Sequence, residues 1–191
     1  MLLEMQFGME RNLEYYYPGY VVPDYPAFDY KLRIGNCEFF DSYGKDWRPY
    51  EAFDKSVLPA QKMMHQLKLL EGLFQISSMP VQLYLYPPYE TVVFGIEDQG
   101  YLEYPVFLSC FHGMFLNNFL TIIFDPDRDV YEMIICYDAG DITDYFKQAE
   151  SPDGIPFSPN LMVMSNIVPL GKTPQEALLY FVHWLRENHI F

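Results

Sequence analysis

Asp125-Pro126-Asp127-Arg128-Asp129 sets three carboxylates at alternate positions, the spacing with which an EF-hand loop opens on calcium. That loop needs glycine at its sixth position and a bidentate glutamate at its twelfth, and here those positions hold Val130 and Cys136. A polar hairpin turn between two apolar runs accounts for the same residues, so no metal site is assigned. Cys110 and His112 stand two apart in "SCFHG", which would place them on one face of a strand. A thiolate activated by a neighbouring imidazole is the chemistry such a pair could do. Their separation along a strand is about 7 Å, long for the required hydrogen bond. A small-ligand domain or enzyme with a pocket near Cys110 and His112 is therefore the second reading. His65 stands alone, and His183 and His189 are six apart, which is not a ligating spacing. Phosphate-cradling loops, G-x-S-x-G and H-E-x-x-H do not occur, and no cofactor is assigned.

The other feature with chemical content is charge. Between Asp125 and Asp153 lie nine acids and two bases, Arg128 and Lys147, interleaved with Tyr131, Tyr137, Tyr145 and Phe146. Clustered acids steer a basic partner, and tyrosines supply contact area that holds it. Glu132, Asp138, Asp141, Asp144 and Tyr145 are the candidate partner-binding residues. A solvated, solubilising sheet edge is the competing explanation.

The whole chain supports this emphasis. It has 191 residues, with 26 acids against 12 bases and a net charge of -14. Such a surface repels nucleic acid and anionic membranes, so neither is expected as a partner. Half the residues are apolar, enough for a sizeable core. Cys37, Cys110 and Cys136 are too few and too scattered for a disulfide framework, which favours a reducing compartment. The first residues carry Glu4 and lack a basic start with a long apolar core, so they do not read as a secretory signal. Apolar runs stay below the ~18 residues that span a bilayer. A cytoplasmic, soluble protein is the expectation.

The elements that must position these residues follow from periodicity. "EYYYPGYVVPDYPAFDY" carries six tyrosines and three prolines, so an extended arm over 1–30, laying its rings on the domain, is expected. Alternation over 28–34 reads as a strand, with a turn at Gly35-Asn36 and a return over 37–40. A helix is expected from Ser56 as N-cap, with Ala60, Met63, Met64, Leu67, Leu70 and Phe74 as its apolar stripe. Strands follow at 81–86, 91–96, 104–111, 119–124, 130–136 and 161–168, separated by turn residues. Asp141 reads as the cap of a short helix through Phe146. Thr173, Pro174 and Glu176 spell a capping box for a last helix whose inner face is Ala177, Leu178, Phe181, Val182 and Leu185.

The expected architecture is a single compact α+β domain over 1–191: an antiparallel sheet of about five to seven strands with two main helices, the C-terminal one packed on the sheet. The expected function is an acidic protein-binding module, concretely an inhibitor or immunity-type protein that neutralises a basic partner such as a nuclease toxin. A third reading is a structural or regulatory subunit docking through the Tyr-rich arm.

Overall fold

The structure is a computed structural model that describes residues 2–19, 29–41, 44–54, 58–87, 100–115, 118–145 and 152–188. The chain divides into two compact units, Met1–Lys55 and Ser56–Phe191.

In the first unit, α1 (Leu2–Glu10) opens the chain, so the start of the expected extended arm is helix. Residues 15–19 follow without regular structure. Residues 20–28 of the arm lie outside the described set. The strand expected over 28–34 is instead a single helical turn, α2 (Asp29–Leu32). The hairpin of this unit is β1 (Glu38–Asp41) with β2 (Asp46–Pro49), paired antiparallel. Its turn explains the choice. Asp41 accepts from the Gly44 amide through its carboxylate and from the Lys45 amide through its carbonyl. Those bonds close a tight connection, for which the alternation at 28–34 offers no equivalent.

The second unit holds the main sheet, five antiparallel strands in chain order: β3 (Val81–Leu85), β4 (Val106–Phe115), β5 (Asn118–Asp125), β6 (Val130–Asp141) and β7 (Asn160–Gly171). The α+β class, the meander and the docked C-terminal helix agree with the sequence reading. The strand expected at 91–96 lies outside the described residues. β5 is the central strand, and its apolar run, broken only by buried Thr121, is the signature of a strand covered on both faces. Leu120 and Ile122 join one buried cluster, Phe119 and Ile123 the other, as alternation requires.

Two helices cover the first face. α3 (Pro59–Ile76) buries Met63, Leu67, Leu70 and Phe74, four of the six expected stripe residues. Met64 is partly buried against the same cluster, while Ala60 is exposed. Leu58 takes the N-cap position, with Pro59 first in the helix. Ser56 lies outside the described residues. α4 (Pro174–Glu187) buries Ala177, Phe181 and Leu185. Its capping box is complete: Thr173 Oγ1 accepts from the Glu176 amide at 3.2 Å, and Glu176 accepts from the Thr173 amide at 3.1 Å. Hydrogen bonds from the Lys172 and Thr173 amides hold the Glu176 carboxyl below its ordinary value. Gly171 (φ +114°) precedes the cap, and a Cβ there would stand 2.8 Å from the Glu176 Cβ, so glycine is required. Thr173→Ala should cost about 1 kcal/mol, the usual scale for a lost N-cap, read from denaturant unfolding.

The second face buries Tyr86, Leu102, Phe107, Ile134 and Met162 among others. Short segments also bond to the sheet's two outer strands. The Leu85 amide donates to Pro156 O at 2.9 Å, and the Ser158 amide donates to Leu85 O at 2.8 Å. On β7, the Leu102 amide donates to Met162 O and the Met164 amide to Gly100 O. The Met162 amide itself donates to the Tyr86 hydroxyl at 2.9 Å. Among the described residues no helix is long and apolar enough to cross a membrane.

Candidate functional site

The acids of the 125–153 stretch fall into separate places. At the β5–β6 turn, Asp125 Oδ1 accepts from the Asp127 and Arg128 amides at 2.9 and 3.0 Å. Its Oδ2 accepts from Arg128 Nε at 2.6 Å. Arg128 then reaches Glu132 Oε2 at 2.9 Å, so one guanidinium bridges two carboxylates. Burial pushes the Asp125 carboxyl up, but the Arg128 and Asp127 hydrogen bonds outweigh it and hold it below its ordinary value. Asp129 pairs with Lys62 of α3 at 2.6 Å, and Lys62 also donates to Pro126 O. The carboxylates that resemble the start of a calcium loop are thus engaged in closing a hairpin and tying it to α3. Asp153 pairs with another α3 base, Lys68, at 3.2 Å.

Glu132 is 4% exposed, facing the second side of the sheet. It lies about 20 Å along β6 from Asp138, at roughly 3.3 Å per residue, so the structure does not bring it together with the other candidates. Burial, reinforced by the charges of Asp125 and Glu132, raises the pKa of nearby Tyr104. Arg128 as the bridge between Asp125 and Glu132 was missed in the sequence. The signal available was a glutamate inside the otherwise apolar run 130–136.

Asp138, Asp141 and Asp144 do gather, at the far end of β6. β6 runs five residues further than expected, to Asp141, so the short helix expected from Asp141 shrinks to a single 3-10 turn, Thr143–Tyr145. Pairing with β7 holds this end in strand form: Asp138 faces Met162 and Asp141 faces Asn160, with a bulge between Asp138 and Gly140. Gly140 (φ +131°) supplies the backbone angle that the bulge needs. Asp138 accepts from the Gly140 amide at 2.8 Å and from Asn160 Nδ2 at 2.7 Å. Asp141 accepts from the Thr143 amide at 2.7 Å, an Asx-type bond two residues ahead in place of the expected helix cap, since the turn starts at Thr143. All three acids are exposed, and Tyr137 beside them is 47% exposed. Tyr145 closes the 3-10 turn, and its side chain lies outside the described set.

The backbone of β4 is irregular between positions 110 and 112, and the side chain at 112 lies outside the described set. A register shift between them pairs Cys110 with Leu120 but residue 112 with Phe119. Leu120 and Phe119 belong to opposite faces of the sheet, so the bulge breaks the alternation on which a shared face depends. Cys110 is fully buried on the helix-covered face, and burial pushes its thiol up. Cys136 is buried too; burial raises its thiol to about 11, with the Thr121 hydroxyl pulling the other way. Cys37 is partly exposed. A thiol reagent applied to the native protein should label Cys37 and spare Cys110 and Cys136 until unfolding. Mass spectrometry of the labelled peptides reads the result, and rapid native labelling of Cys110 would contradict it.

His65 is exposed on α3, and exposed His183 pairs with Glu187 along α4. Among the described residues no three His, Cys, Asp or Glu side chains gather as metal ligands would. No family model matches the chain, and neither a curated protein nor a solved structure matches it.

Proposed function

We propose that the protein is a cytoplasmic acidic binding module that captures a basic protein, in the manner of an inhibitor or immunity protein acting on a nuclease toxin. The observation that carries this reading is the exposed group of Asp138, Asp141 and Asp144 beside half-exposed Tyr137. Internal hydrogen bonds to Gly140, Asn160 and Thr143 fix the Asp138 and Asp141 carboxylates in place. Preset charges lose little freedom when a partner arrives, and an exposed aromatic ring supplies the apolar contact. The enzyme reading is weaker, because buried Cys110 with a raised pKa is a poor nucleophile.

The test is association with a panel of basic nuclease domains. One member should be bound and inhibited stoichiometrically. Asp141→Asn combined with Asp144→Asn should slow that association about three- to tenfold at low salt and flatten its salt dependence, since steering is screened by ions. Asp141 also supports its local turn, so thermal stability is measured on the same variant. A wild-type association rate at low salt would reduce these acids to a solubilising edge.

A further inference from the structure

A second surface lies in the first unit. Paired residues on adjacent strands share a face, so Phe40 and Trp47 project together from the β1–β2 hairpin, with Glu38 and Pro49 one step along. Tyr17 lies against Trp47, with ring centroids 5.6 Å apart, and Phe40 meets it from across the hairpin at 5.4 Å. The two rings tilt by 56° and 59° to the indole, which makes a faceted surface rather than a flat platform. Their packing leaves Tyr17 66%, Trp47 50% and Phe40 48% exposed. Aromatic rings gathered on one indole yet half in water are the composition of an interface anchor.

Charge selects the occupant. The hairpin arginine, Arg48, belongs to the opposite face, where it pairs with Asp41 at 3.2 Å and Asp46 at 3.1 Å. Glu38 is exposed on the aromatic face and makes no ion pair among the described residues. The charges of Glu14 and Glu38 both raise the pKa of Tyr15, so the two acids share this neighbourhood. Lys45 stands in the turn at the hairpin end. A planar cation bearing an apolar stem meets both demands, stacking on the indole while Glu38 takes its charge. We infer that the Tyr17–Trp47–Phe40 face is a docking surface for an arginine-bearing segment of a partner protein. It rests on the acidic-module reading for the partner's charge, and it adds a contact point on the other unit of the chain.

The experiment titrates the full chain with an arginine–glycine repeat peptide, a lysine–glycine peptide of equal length, and an uncharged proline-rich peptide. The Trp47 indole resonance is followed by NMR. The arginine peptide should bind saturably and more tightly than the lysine peptide, because guanidinium stacks on aromatic faces and ammonium does not. Trp47→Ala should weaken it about fivefold, within a range of about two- to thirtyfold. Glu38→Gln should weaken it less, and Trp47→Phe should fall between wild type and Trp47→Ala. Those two variants carry the test if Trp47→Ala disrupts the hairpin. The Trp47 resonance reports this face alone, so the outcome of the peptide titration is separate from that of the association assay on the acidic edge. Equal affinity for arginine and lysine peptides, tighter binding of the proline-rich peptide, or unaltered binding by the Trp47 variants would overturn the assignment.

Discussion

Phe181→Ala should destabilise the second unit by about 3–5 kcal/mol, the range for truncating a buried aromatic ring. Phe181 is fully buried in the middle of the inner face of α4. It meets Phe74 of α3 edge-on, with centroids 5.3 Å apart and planes at 81°. The ring therefore joins both helices to each other above the sheet. Removing it loses transfer free energy and leaves a cavity between the two helices and the sheet. A double-mutant cycle with Phe74→Ala should give a coupling of about 0.5–1.5 kcal/mol for the ring pair. Chemical denaturation supplies the readout, and an unchanged midpoint would show that α4 buries a different face.

Tyr86→Phe is the second large expected effect, about 1–3 kcal/mol, although it removes a single oxygen. The ring is 1% exposed, and burial raises its hydroxyl pKa, so the group is neutral at ordinary pH. Phenylalanine fills the same volume and opens no cavity. The cost comes from the Met162 amide, which donates to that hydroxyl and would lose its acceptor inside the second cluster. Amide exchange should accelerate at Met162 in the variant more than at its neighbours. Wild-type protection at Met162 together with an unchanged unfolding midpoint would show that another acceptor replaces the hydroxyl.

Legibility in the sequence followed the range of the interactions. The α4 capping box was readable because Thr173 and Glu176 interact three residues apart. The strand β5 was readable because 119–124 is a strand-length run rich in aromatic and β-branched residues between turn residues. The strand expected at 28–34 failed because alternation over seven residues does not choose a pairing partner, whereas the Asp41 bonds around Gly44 and Lys45 do. The candidate site split for a similar reason. Composition saw one acidic stretch, but the bases that answer Asp129 and Asp153 come from α3, more than sixty residues away. Asp138, Asp141 and Asp144 stayed together because their order depends on local turns. The bulge between positions 110 and 112 is a property of the β4–β5 pairing and leaves no mark in "SCFHG".

The segments bonded along the outer strands have a bearing on how the protein behaves when concentrated. An open sheet can polymerise when a neighbouring molecule adds its own strand to bare backbone donors and acceptors. Here the Leu85 edge is closed by residues 156–158, and the first half of β7 is closed by residues 100–102 and the Tyr86 hydroxyl. Among the described residues, growth from the main sheet is left the remaining half of β7, where Ser165, Asn166 and Ile167 are exposed, and the 81–84 part of β3. With a net charge of -14, two copies also repel each other as they approach. Built-in caps and like charge together leave stacking into fibres a narrow starting point, so recognition of other molecules can be confined to side chains.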